Sequence, residues 1–308
     1  MSYVFGPVPS RRLGLSLGVD LIPLKTCSFD CLYCEVGRTT FKTIKTDLFV
    51  PVTEVVSAVE KKLHNCVPDT ITLAGSGEPT LYSGIDQVID CIKGMSKIKL
   101  ALLTNGSLFF KKEIRQRVLK TDIILPTLCS AFEDTFRKIH RPHPDLHLAM
   151  IVDGLKKLRY DYKGKIFLEI VLLSGFNDTE KELEGLKTLA RQISPDQIQL
   201  NTVVRPPADA TAISLDGKTM EEIKVFFGGN TEIVAEVPLE GRKIKEVSLI
   251  NILLDMIRIR PLSSVDISKA LNISMDDAED MIKGLLIKGY IRKQEYSGKI
   301  FYLVSIHK

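Results

Sequence analysis

The chain is 308 residues long, 44% hydrophobic and 26% charged, with six cysteines and a formal net charge of +4. That length allows one large domain or a main domain with a small appendage. The mild positive charge excludes a polyanion-coating tail as the organising feature and leaves room for a local basic groove. No apolar run reaches the roughly 18 residues that span a bilayer, which excludes an integral membrane protein. The opening Met1–Arg12 lacks the charge-then-apolar order of a secretory signal. The expected compartment is therefore the cytoplasm, where clustered cysteines hold metal more often than they form disulfides.

In chain order, strand-like apolar runs at 15–22, 70–74, 98–103, 122–128, 166–173, 198–204 and 232–235 alternate with helical patterns. The clearest helical stretches cover 52–64, 84–94, 113–120, 146–159 and 180–192. Strand–helix alternation at this spacing predicts right-handed βαβ units around a parallel sheet. Six or seven such units in residues 1–240 predict an α/β fold, a partial (β/α)6-type barrel, with its chemistry at the C-terminal ends of the strands. The pattern changes between 238 and 246. Helices are expected over 248–259, 264–271 and 274–288, the last with Ser274 as N-cap and Asp277 at the capping-box position. Two β-rich runs, 290–296 and 299–306, then meet at Ser297-Gly298, a hairpin turn signal. Three helices and a hairpin over 247–308 predict a small winged helix-turn-helix domain.

Cys27, Cys31 and Cys34 have the spacing C-x3-C-x2-C directly after the first strand-like run expected for the barrel. Three thiolates in a loop at a strand's C-terminal end can converge on one metal centre, and soft thiolates select zinc or iron–sulfur. A closed zinc site would want a fourth ligand from a second Cys or His pair, and no such pair follows. Three cysteines suit a 4Fe–4S cluster that leaves one iron open.

These residues, with the Tyr33 before Cys34, resemble the signature of the radical S-adenosylmethionine (SAM) superfamily. Further segments fall in that family's order: Gly75-Ser76-Gly77-Glu78-Pro79-Thr80, Thr104-Asn105-Gly106, Pro126-Thr127-Leu128-Cys129-Ser130-Ala131, Gly175-Phe176-Asn177-Asp178, and Asn201 through Arg205-Pro206-Pro207. The opening Phe5–Arg12 and the stretch Phe136–Pro142 resemble stand-alone iron–sulfur oxidoreductases related to the tRNA wyosine-synthesis enzymes. The resemblance implies a 4Fe–4S cluster on Cys27, Cys31 and Cys34. It implies SAM held by Gly75, Gly77 and Glu78, with Tyr33 on the adenine side and Thr127 and Glu169 as polar contacts. It further implies one-electron cleavage of SAM to methionine and a 5′-deoxyadenosyl radical that abstracts hydrogen from a substrate. A ferredoxin or flavodoxin would then be the low-potential electron donor. Cys129 departs from the pattern by standing where the family often has Asp; it reads as a buried structural thiol or, alternatively, as a thiol lining the substrate pocket. Asn105 reads first as a turn residue, from its Asn-Gly context.

Arg12 and Arg205, as phosphate or carboxylate binders, and His140 with Arg141 are the candidate substrate contacts. His143 and His147 sit in a proline-containing loop and read as solvated. Cys66 and Cys91 read as structural. Four acids at the start of the third C-terminal helix, Asp276, Asp277, Glu279 and Asp280, would repel phosphates, which disfavours sequence-specific DNA reading. The expected substrate is an RNA base, tRNA in particular, although no cysteine precedes Cys27, unlike the archaeal wyosine synthases. Alternatives are a protein or peptide substrate docked by the winged helix, and an iron–sulfur redox-sensing regulator that binds nucleic acid.

Overall fold

The computed structural model describes residues 3–10, 12–234 and 249–305. Strands β1 (Val4–Ser10) and β2 (Gly14–Val19) form an antiparallel hairpin. After β2 the chain makes a loop containing the short parallel pair β3 (Thr26–Cys27) and β4 (Phe41–Lys42). Alternating elements follow: α1 (Val52–Leu63), β5 (Thr70–Leu73), α2 (Ile85–Met95), β6 (Lys99–Thr104), α3 (Lys112–Arg117) and β7 (Ile123–Pro126). Then come α4 (Glu133–His140), α5 (Leu148–Asp161), β8 (Lys165–Leu172), α6 (Glu180–Ile193), β9 (Gln197–Thr202), α7 (Gly217–Phe227) and β10 (Thr231–Ile233).

The main sheet runs β1-β2-β5-β6-β7-β8-β9-β10, parallel from β2 onward. The expected α/β fold with a mostly parallel sheet is therefore present. Its one unanticipated strand is β1. Pro7 and Pro9 argue against a central strand, and β1 lies at an edge of the sheet, where missing ladder donors are tolerated.

The strands alternate more than their apolar sequences suggest. In β8, Ile166, Leu168, Ile170 and Leu172 are fully buried in the large core that also holds Leu155 and Leu158 of α5 and Leu186 of α6. The intervening Glu169 and Val171 face the other way and line a cavity. β5 behaves alike, with Ile71 and Leu73 in that core and Thr72 at the cavity. The outer face thus supplies the burial that holds the fold, and the inner face is left for polar groups.

In the C-terminal part, α8 (Leu249–Ile259), α9 (Ser264–Leu271) and α10 (Met275–Ile287) precede the antiparallel pair β11 (Ile291–Tyr296) and β12 (Lys299–Val304). The expected join at 238–246 lies outside the described residues. Ser263 and Asp266 form a full capping box on α9, and Ser274 Oγ accepts from the Asp277 amide at 3.0 Å on α10. These helices share a second core, with Leu253, Leu262, Ile267 and Ile282, and Val8 of β1 belongs to it. The hairpin β1–β2 is therefore packed from both sides.

Candidate functional site

The inner face of the sheet opens onto a cavity of about 360 Å³ at the strand ends, within the usual range for small-molecule sites. Cys27, Cys31 and Cys34 line it. Their loop is pinned at several points. Thr26 and Cys27 pair with Phe41 and Lys42, and Asp30 accepts from the Thr39 amide at 2.8 Å. The Asp30 and Leu32 amides donate to the carbonyls of His140 and Ile139, both at 2.9 Å, so the end of α4 holds the loop from behind.

The glycine segment after β5 packs directly on this loop. The Lys25 amide donates to Ser76 O at 2.9 Å and the Glu78 amide to Thr26 O at 3.2 Å. A Cβ on Gly77 would lie 1.7 Å from Thr26 O, so only glycine permits the approach. Ser76 in turn donates from its hydroxyl to Asp20 at 2.5 Å. Burial raises the Asp20 carboxyl above its ordinary pKa.

Glu78 lies at the wall and is 2% exposed. It accepts from the Thr80 amide (3.0 Å) and hydroxyl (2.6 Å), the Thr104 hydroxyl (2.6 Å) and the Asn105 amide (2.7 Å). Burial raises its pKa and these donors pull it back down. With four hydrogen bonds accepted, the carboxylate ties the ends of β5 and β6 together. Asn105 is more than a turn residue. Its Oδ1 accepts from the Ser107 amide at 2.9 Å, while its Nδ2 donates to Ser28 Oγ at 2.8 Å and lies 3.5 Å from Cys27 Sγ.

Also on the cavity wall, Glu169 gathers three donors: Arg12 Nη1 at 2.6 Å, Thr127 Oγ1 at 3.0 Å and Asn201 Nδ2 at 3.1 Å. Arg205, 5% exposed, reaches Glu35 at 3.4 Å and Asp266 of α9 at 3.5 Å. It thereby links the cysteine loop to the C-terminal helices. Ile259 and Arg260, at the end of α8, complete the wall. Nothing in the sequence near Arg260 signals this role; only the packing of α8 on β1 brings it there.

Of the residues singled out from sequence, Cys27, Cys31, Cys34, Tyr33, Gly75 and Gly77 all line the cavity. So do Glu78, Thr127, Glu169, Arg12 and Arg205. His140 and Arg141 are not among the lining residues. His140 is buried behind the cysteine loop, its Nδ1 3.2 Å from Cys31 Sγ and its ring against Phe29, Tyr33 and Phe136. Burial lowers its pKa to about 3, so the imidazole is neutral. Arg141 donates to Asp209 at 2.7 Å, away from the cavity. His143 and His147 sit beside Asp145 and Glu133 respectively and do not converge with His140. Cys129 is buried, its Sγ accepting from the Val171 amide at 3.3 Å and lying 3.7 Å from the Tyr33 hydroxyl. Burial pushes its thiol up to about 12.

The donor set fits an iron–sulfur cluster. Burial pushes the Cys27 thiol up to about 12 and raises Cys31 and Cys34 as well, with the sulfurs near enough to repel one another as thiolates. Three buried thiolates need positive charge beside them, which cluster irons supply.

Residues 21–186 match the family model described as the Radical SAM superfamily. The UPF0026 protein MJ1312 of Methanocaldococcus jannaschii is 33% identical over 99% of this chain and 97% of its own length. A protein of Brachyspira hyodysenteriae named GTPase Obg is 36% identical over 98% of this chain, which spans only 45% of that relative. A more distant match, 25% identical over 56% of this chain and 50% of its own, is the dual-specificity RNA methyltransferase RlmN of Buchnera aphidicola. Among solved structures, a radical SAM methyltransferase from Sphaerobacter thermophilus shares the fold with a TM-score of 0.54 at 15% identity, covering 71% of this chain and 65% of that one. No described helix is long and apolar enough to cross a membrane. With its cysteine triad at the strand ends of a mostly parallel sheet, the chain belongs to the radical SAM superfamily and is a radical SAM enzyme.

Proposed function

We propose that this enzyme holds a 4Fe–4S cluster on Cys27, Cys31 and Cys34, cleaves SAM reductively, and takes hydrogen from an RNA base, tRNA in particular. The observation that carries the reading is that the three thiols line the same cavity as Glu169 and its donors Arg12, Thr127 and Asn201. When bound, the cluster supplies one electron to the sulfonium of SAM and so generates the 5′-deoxyadenosyl radical.

The chain's own residues bind and orient. The backbone of 75–77, held by Glu78 and Asp20, offers strand-end carbonyls to the methionyl ammonium. Thr127 and Glu169 contact ribose or methionine, and Tyr33 lies on the adenine side. Arg12 aims Glu169 through their 2.6 Å hydrogen bond, and the apolar surroundings exclude water from the radical. A ferredoxin or flavodoxin supplies the electron, in the cytoplasm. Residues 1–240 form the barrel domain, and residues 247–308 act as a winged helix.

RNA as substrate is supported by the likeness to an RNA methyltransferase and by the arrangement of charge on the C-terminal helices and hairpin. Arg292, Lys293 and Lys299 are exposed on the hairpin, where a phosphate backbone can be tracked. Asp276, Asp277, Glu279 and Asp280 are exposed on the first turns of α10, which keeps that helix out of a DNA groove.

The test is anaerobic incubation of the reconstituted chain with deuterated tRNA, dithionite and SAM. Deuterium is expected in 5′-deoxyadenosine. Label that comes only from a deuterated protein fraction, never from RNA, overturns the substrate assignment.

A further inference from the structure

Each cysteine sulfur has its own set of hydrogen-bond donors, and the sets differ in kind. Cys27 draws on the backbone amides of Ser28 and Phe29, with Asn105 Nδ2 at the longer 3.5 Å. Cys34 draws on the backbone amides of Val36 and Gly37. Cys31 has His140, whose Nδ1 lies 3.2 Å from the sulfur.

His140 is far from this loop in sequence and is brought there by a double clamp. Ile139 O and His140 O accept the amides of Leu32 and Asp30. The next turn is fixed as well: Lys42 donates to Arg141 O at 2.6 Å and the His143 amide to Ser28 O at 2.8 Å. The ring is 2% exposed, with its centroid 5.0 Å from that of Phe29, 5.3 Å from Phe136 and 5.8 Å from Tyr33. A cluster-bound thiolate can only accept a hydrogen bond, so the ring nitrogen 3.2 Å from it is the donor. The proton therefore belongs on Nδ1 when the cluster is present, an assignment from chemistry.

We propose that His140 is a positioning residue that donates this hydrogen bond to Cys31 and thereby sets the reduction potential of the cluster. The inference rests on the cluster reading above and goes beyond it. Reduction adds one negative charge to the cluster, and an N–H dipole aimed at a ligating sulfur stabilises that charge. The site is desolvated, so the dipole acts with little screening. Removing the donor makes the cluster harder to reduce.

The experiment is a redox titration of the reconstituted full chain, followed by the electron paramagnetic resonance signal of the reduced cluster. His140→Phe keeps the aromatic packing and removes the donor, while His140→Asn keeps a nitrogen at the Nδ1 position. The expected result is a more negative midpoint potential for H140F than for wild type, with H140N closer to wild type. An unmoved potential in H140F at normal iron content overturns the role of His140. Should H140F hold no iron, 15N-histidine labelling of the wild-type chain decides the matter. A 15N coupling to the reduced cluster, lost in H140N, is expected, and its absence in wild type overturns the proposal. A wild-type chain that takes up no iron overturns the cluster reading itself, a result distinguishable from the other two.

Discussion

Asp209 sits where three segments meet. It accepts from Arg141 at 2.7 Å, from Arg38 at 2.8 Å and from the Thr211 hydroxyl at 2.7 Å, and its own amide donates to Leu32 O. The Thr211 and Arg141 hydrogen bonds hold its carboxyl at a pKa of about 2, below the usual 3.8. A carboxyl with a depressed folded-state pKa stabilises the fold above its unfolded pKa, and that contribution is lost as pH falls through the folded value. Denaturant unfolding of the wild-type chain should therefore lose stability between about pH 4 and pH 2, and Asp209→Asn should flatten that part of the profile. Identical slopes in the two proteins would remove this role. Nothing in the sequence marked Asp209, because its partners come from residues 38, 141 and 211 and meet only in the fold. Arg12 and Glu169 were each legible singly, through neighbouring motifs, but not as an ion pair. His140 was legible as a chemically loaded residue and misplaced as a substrate contact, since a helix C-terminus that docks from behind leaves no periodicity to read.

At the scale of elements, the parallel strands were legible because β5, β7 and β8 are short apolar runs between amphipathic helices. The edge strand β1 was not, because prolines mask a strand that needs only one ladder partner. The division of labour between the two faces of β5 and β8 was likewise hidden, since Thr and Val at inward positions read as ordinary strand formers. The glycine turn after β5 is where element packing becomes chemistry. Its carbonyl and amide partners are residues of the cysteine loop, and Gly77 permits the contact with Thr26 O. Gly77→Ala must displace β3 or the turn itself, at a cost of about 3 kcal/mol, the upper end of the range for overpacking. Its expected signature is a lower unfolding midpoint together with reduced iron retention after reconstitution. Wild-type iron content and stability in G77A would show that the turn and the loop are not coupled as described.

For the whole molecule, the C-terminal helices share a core with β1 and send Ile259 and Arg260 to the cavity wall. Arg205 joins them electrostatically to the loop that follows Cys34. The 247–308 segment was legible as a separate pattern of helices and hairpin, and its contribution to the cavity was not, because that depends on a tertiary contact with β1. All of this geometry converges on one claim, that the cavity couples a cysteine-bound cluster to SAM. Anaerobic reconstitution followed by addition of dithionite and SAM tests it most directly. The account predicts about four irons per chain and dithionite-dependent release of 5′-deoxyadenosine, both abolished when Cys27, Cys31 and Cys34 are replaced together by alanine. Undiminished SAM cleavage in that triple variant would contradict it.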